Sequence, residues 1–237
     1  MCVSGKCFKD ADHFWPLDKS FFRKDLIGST HGKCNSWARA AGPGYEGLST
    51  RAAVVQSAAD TTIDLGDFSG DCIGDFARCE KGITVAFWLK VTAGVDSDIL
   101  YSAEKDSDRG LTIFYLIDTS LLTVNMYSTN EYGSVSVKIT PEVWYHVFVA
   151  WKKGTAGNPW MVINGAEVFW GTVQAESRTQ ESYTHLLVGQ RPTGGTSNFK
   201  ISQLVIWRKA LGRRDMQRVF HCVGLQPGKF VDRLCRN

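Results

Sequence analysis

WYHVFVAWKKGTAGNPWMVINGAEVFW, residues 144–170, packs four tryptophans and an Asn-Gly pair between apolar runs, with little in it that resembles chemistry. Asn164 and Gly165 both tolerate the positive φ that a type I′ turn requires, so residues 160–170 are predicted to form a tight hairpin. Working outward, runs rich in β-branched and aromatic residues recur between polar breaks. They are ITVAFWLKV (83–91), DILYSA (98–103), LTIFYLI (111–117), LLTVNMYS (121–128), SVSVKI (134–139), WYHVFVAW (144–151), HLLVG (185–189) and FKISQLVIW (199–207). Strands at this spacing, almost without helical period, predict an all-β protein built as an antiparallel two-sheet sandwich. One short C-terminal helix is expected over KALGRRDMQRVF (209–220), with Leu211, Met216, Val219 and Phe220 forming its apolar stripe. The stretch 31–57, with its AGPGYEG cluster, reads as irregular surface chain.

The tryptophans follow from this plan. Each buried aromatic removes about 150–250 Å² from water, so Trp144, Trp151 and Trp207 are expected to fill the sandwich. Trp160 and Trp170 flank the hairpin, where a core position and a face for stacking a pyranose ring are both open.

With 43% apolar and 22% charged residues, the 237-residue chain can bury a large core without staples. Its seven cysteines (Cys2, Cys7, Cys34, Cys72, Cys79, Cys222, Cys235) therefore speak to compartment. No CxxC pair points to a zinc ribbon or redox motif, and a disulfide framework in a secreted, extracellular setting is expected. The pairs anticipated are Cys72 with Cys79, Cys222 with Cys235, and Cys7 or Cys2 with Cys34. The polar, cysteine-bearing start is wrong for a signal peptide, so the chain reads as a piece of a longer secreted protein with Met1 added. There is no apolar run long enough for membrane insertion.

Net charge is +3 but unevenly spread. From Trp207 onward eight Lys or Arg face two Asp, a local +6 that leaves −3 on the other 206 residues. Exposed guanidinium groups bind carboxylate, sulfate, phosphate or carbonate through paired hydrogen bonds. Arg208, Lys209, Arg213, Arg214 and Arg218 are thus the candidate anion-binding residues. The acidic remainder argues against nucleic acid. His13, His31, His146, His185 and His221 come with no HExxH, GxSxG or Walker loop, and none is assigned a role.

Four segments carry a resemblance to laminin-G-like or pentraxin-like (LamG3) domains of the concanavalin A-like jelly-roll superfamily. They are HFWPLD (13–18), DLGDFSGDCIGDFARCEKGITVAFWLK (64–90), VWYHVFVAWKKG (143–154) followed by MVINGAEV, and LLVGQR followed by FKISQLVIWRKAL. The order of a short cysteine loop, a W-x-H strand, an N-G hairpin and a closing strand is similar to the family over residues 13–221. The resemblance implies a jelly-roll domain at 13–221, with residues 1–12 as linker or the tail of a preceding module and 222–237 as a basic tail.

Function follows by the same analogy. The family implies a non-catalytic module of a matrix protein, shell matrix included, binding an acidic polysaccharide, an extracellular protein or a calcium carbonate surface. The ectodomain of an adhesion receptor is the alternative. EKDSD (104–108) is similar to a loop that in calcium-binding relatives helps to hold Ca²⁺, which makes Asp106 and Asp108 candidate metal ligands. Glucanases of the superfamily carry a carboxylate pair about 5 Å apart on one strand face. Here the acids fall in a turn, so a glycoside hydrolase is disfavoured.

Overall fold

The computed structural model describes residues 7–18, 21–34, 39–40, 53–55, 62–102, 110–128, 130–152, 158–175, 185–189 and 197–224. In chain order the elements begin with β1 (His13–Trp15), β2 (Lys33–Cys34), β3 (Arg39–Ala40), β4 (Ala53–Val55) and β5 (Thr62–Asp67), followed by a 3-10 turn at Phe76–Arg78. The long strands follow as β6 (Ile83–Val91), β7 (Ser97–Tyr101), β8 (Gly110–Leu116), β9 (Leu121–Tyr127), β10 (Glu131–Lys138) and β11 (Tyr145–Trp151). The chain then forms β12 (Trp160–Ile163), β13 (Glu167–Trp170), β14 (Thr172–Ala175), β15 (His185–Gly189), β16 (Phe199–Trp207) and α1 (Arg213–Gly224).

The described strands make two antiparallel sheets. One runs β13-β12-β11-β6-β16-β4-β3, with β1 also paired to β16, and the other runs β14-β10-β9-β8-β7-β15-β5-β2. This is the expected jelly-roll sandwich. Between the sheets lie alternate residues of each strand: Ile83, Val85, Phe87 and Leu89 of β6, and Val147, Val149 and Trp151 of β11, meet Ile113, Val124 and Val135. On β16 the inward residues change parity, from Phe199 and Ile201 to Leu204 and Ile206. Gln203, at φ 54°, is the extra residue. Its amide leaves the ladder to donate to the Pro16 carbonyl at 2.9 Å, and the register against β6 shifts between Ser202 and Val205.

A second apolar layer lies on the other face of the first sheet. Ala86, Trp88, Phe148, Ala150, Val162, Val205 and Trp207 are buried there under Met216 and Val219 of α1 and under Cys7, Phe8 and Phe14. Trp151 and Trp207 are thus core, as expected, although in different layers, and Trp144 packs against the edge of the second. Cys7 and Phe8, expected in a linker, are part of this layer. The helix stripe is the anticipated one, but the helix starts at Arg213 because hydrogen bonds to Lys81 and Thr84 hold the residues before it. Thr84 Oγ1 donates to the Lys209 carbonyl and accepts from the Leu211 amide, each at 2.8 Å, and the Ala210 amide donates to Lys81 O.

The hairpin forms as predicted, with Asn164 at φ 51° and Gly165 at φ 72°. The glycine has a second reason that was invisible in the sequence: a Cβ there meets the Phe220 ring of α1. Gly165→Ala is therefore expected to combine left-handed strain with overpacking and to lower stability by about 3 kcal/mol. Chemical denaturation measures it, and a loss below about 1 kcal/mol contradicts this packing.

Cys72 and Cys79 are disulfide-bonded with a Cα separation of 4.8 Å, and both half-cystines are buried against the inter-sheet core. Closing so short a loop contributes about 2.5 kcal/mol in the chain-entropy view. The double Cys→Ser variant is expected to lose about that much in an unfolding titration under oxidising conditions. Cys7 is also disulfide-bonded. The side chains in the expected Cys222–Cys235 pair, together with those of Cys2 and Cys34, lie outside the described residues.

Candidate functional site

The N-terminal turn, the end of β16 and α1 enclose a cleft of about 280 Å³. Apolar packing shapes it. Trp207 lies in the outer layer with Phe8 and Phe14, and its indole Nε1 donates to the Lys9 carbonyl at 3.1 Å, which fixes the turn over the strand end. Cys7, Trp207, Leu211 and Val219 give the cleft apolar walls, and Lys9, Asp10, Lys209, Asp215 and Arg218 give it charge.

The charges are arranged in partly satisfied pairs. Lys209 Nζ sits 3.0 Å from Asp10 Oδ2, and Arg218 Nη1 sits 3.4 Å from Asp215 Oδ1. The hydrogen bond from Lys209 holds the Asp10 carboxyl below its ordinary value. Lys9 adds a third cation, so the lining carries three positive charges against two negative. These pairs are exposed, and such pairs contribute about 0–1 kcal/mol each, so an incoming anion can compete for the cations at little expense.

The five expected cations are dispersed. Lys209 and Arg218 line the cleft. Arg208 serves as a clamp. Its Nε meets Asp12 Oδ1 and its Nη1 meets Asp71 Oδ2, both at 2.8 Å, while its backbone amide donates to Asp12 Oδ2 at 2.7 Å. The hydrogen bond that Arg208 donates to Asp12 raises the Arg208 pKa. Arg208 thus ties the N-terminal segment, the disulfide loop and the closing strand together. Arg213 Nη2 lies 3.5 Å from the Ala166 carbonyl at the hairpin turn, and Arg214 is exposed on the first turn of α1. Asp106 and Asp108 lie outside the described residues, among which no three His, Cys, Asp or Glu side chains gather where a metal could sit. Lys9, Asp10, Asp215 and the Trp207 wall were not picked out as site residues, because nothing in a linear reading joins residue 9 to residue 209.

The buried carboxylate–histidine contact is structural. Asp25 accepts from His13 Nδ1 at 2.7 Å and from the amides of Phe14, Ile27 and Gly28, which uses its oxygens to lock the HFWPLD segment. Burial works to raise its pKa, yet the bonds from His13 and the Phe14 and Gly28 amides together hold it below the ordinary value.

A model of the family described as Laminin_G_3, concanavalin A-like lectin/glucanases superfamily, matches residues 62–217. No curated protein sequence matches the chain. Among solved structures, the receptor-binding domain of the botulinum neurotoxin C/D mosaic serotype is similar, with TM-score 0.65 at 13% identity over 90% of this chain and 51% of that one. The binding domain of botulinum neurotoxin DC in complex with rat synaptotagmin II gives 0.63 at 13% over 90% and 52%. The same domain in complex with SialylT gives 0.64 at 11% over 92% and 52%. The chain spans about half the length of these structures, and at such identity the likeness shows the fold alone.

Proposed function

The chain belongs to the Laminin_G_3 family of the concanavalin A-like lectin/glucanases superfamily, and on that premise we propose that it is a non-catalytic, extracellular recognition module that binds an acidic polysaccharide through the cleft between its N-terminal turn and α1. One observation carries this reading: Lys9, Lys209 and Arg218 converge over an apolar wall that includes Trp207. Cations grouped around one recess suit a sugar that carries a carboxylate or sulfate, with the charge held by the ammonium and guanidinium groups, while Trp207, 1% exposed, backs the recess from within the core. A recess of this size takes one acidic sugar unit. A mineral face presents an extended lattice and calls for a flat, spread array of charge, so the saccharide is favoured over calcium carbonate. The disulfides support an oxidising, extracellular setting. The related binding domains solved with a protein and with SialylT support recognition as the use of the fold.

Titration calorimetry of the whole chain with a heparin octasaccharide, hyaluronan oligosaccharides and an acidic peptide tests the proposal. Binding to an acidic saccharide is expected to weaken as salt rises. The Lys209→Ala, Arg218→Ala double variant is expected to bind about tenfold more weakly or worse. Arg208→Ala is expected to leave affinity unchanged while lowering stability by about 1 kcal/mol, because its partners are Asp12 and Asp71. Unaltered affinity in the double variant, or binding of the peptide alone, overturns the reading.

A further inference from the structure

A second surface, away from the cleft, is built from Trp160 and Trp170. They face one another across β12 and β13, with ring centroids 5.9 Å apart and planes tilted by 45°. Trp160 is half-buried and packs on the layer beneath α1, so it forms a fixed floor. Trp170 is 70% exposed, the largest exposure of any large apolar residue among those described. The backbone behind it is pinned. The Gly171 amide donates to the Pro159 carbonyl at 2.7 Å, and a Cβ at Gly171 meets the Ser134 carbonyl, so only glycine lets the chain pass from one sheet edge to the other here. A backbone fixed in this way needs no rearrangement when a ligand covers the ring.

We propose that Trp160 and Trp170 form a stacking site for a neutral pyranose ring of a polysaccharide. Size selects this occupant. The exposed surface of Trp170 amounts to about 150–200 Å². A stable protein partner needs about 800 Å² on each side. One indole face matches the C–H face of one sugar ring. Charge selects it further: residues 170–175 (WGTVQA) contain no ionisable group. The site is independent of the anion cleft, so either can fail without the other.

Affinity gel electrophoresis of the whole chain through laminarin, hydroxyethylcellulose and galactomannan tests the proposal. Retardation by at least one of these neutral polymers is expected. Trp170→Ala is expected to weaken it about tenfold, Trp170→Tyr to retain most of it, and the Lys209→Ala, Arg218→Ala variant to leave it unchanged. Because Trp170 is exposed, its truncation leaves the core intact, which matching thermal unfolding curves verify. Three results overturn the proposal: no retardation by any of the polymers, equal retardation of Trp170→Ala, or a concentration-dependent dimer in sedimentation that Trp170→Ala abolishes, which assigns the patch to a second copy of the chain.

Discussion

Asp25→Ala is expected to cost about 4 kcal/mol of unfolding free energy, as much as any single substitution considered. The carboxylate is 2% exposed and accepts four hydrogen bonds, from His13 Nδ1 and from three backbone amides. Truncation leaves His13 and the Phe14 amide buried and unpaired, and removing one member of a buried polar pair typically costs about 3–5 kcal/mol. The effect spreads, because His13 stacks on Trp15 at 5.2 Å and meets Phe68 edge-on at 5.3 Å. Asp25→Asn keeps an acceptor for the amides and is expected to lose about half as much. Urea titration distinguishes these values, and a loss under about 1 kcal/mol for the alanine variant contradicts the structural role assigned to the pair.

Acidification is expected to destabilise the protein through His146. Its ring is enclosed by Trp88, Phe148 and Phe220, and its Nδ1 has no hydrogen-bond partner. Burial alone pushes its pKa down to about 3. In the unfolded chain the same imidazole takes up a proton below about pH 6.5, while the folded protein refuses it until about pH 3. The stabilisation is complete above pH 6.5 and drains as pH falls, by about 2 kcal/mol at pH 5 and more than 4 kcal/mol near pH 3. His146→Leu, which keeps the site apolar, is expected to flatten this slope. Stability curves for both proteins between pH 7.5 and 4 measure it, and parallel curves contradict a neutral, buried His146.

The long strands were legible because runs of β-branched and aromatic residues end at polar breaks. β6, β15 and β16 match the runs read from sequence residue for residue. The shorter ones were not. TIDLGD of β5 alternates only through Ile63 and Leu65, among two aspartates and a glycine, which is too short a period to stand out, and all four residues of β14 are exposed, so β14 has none. The second apolar layer also has a signal in the sequence. ITVAFWLKV and YHVFVAW are apolar at nearly every position, which is how a strand covered on both faces reads.

The cleft was only half legible. The local excess of positive charge pointed to the right end of the chain, but charge balance cannot say which cation is already engaged. Arg208 belongs to Asp12 and Asp71, and those contacts span 196 and 137 residues. The pairing of Lys209 with Asp10 is equally remote, 199 residues apart. Such contacts arise from topology: β1 pairs with β16 and brings the two ends of the chain together. The Trp160 and Trp170 pair was half legible for a different reason. The Asn-Gly turn fixes which residues face each other, whereas exposure depends on where the sheet ends.

Trp207 offers the most direct probe of the recognition claim, because its indole lines the cleft and its Nε1–H is held by Lys9. In a ¹⁵N-labelled sample titrated with a heparin octasaccharide, its indole cross-peak is expected to move along a saturable curve, while those of Trp15, Trp88 and Trp151, buried elsewhere, stay in place. Saturable binding that leaves the Trp207 indole signal unmoved places the ligand elsewhere and contradicts the account.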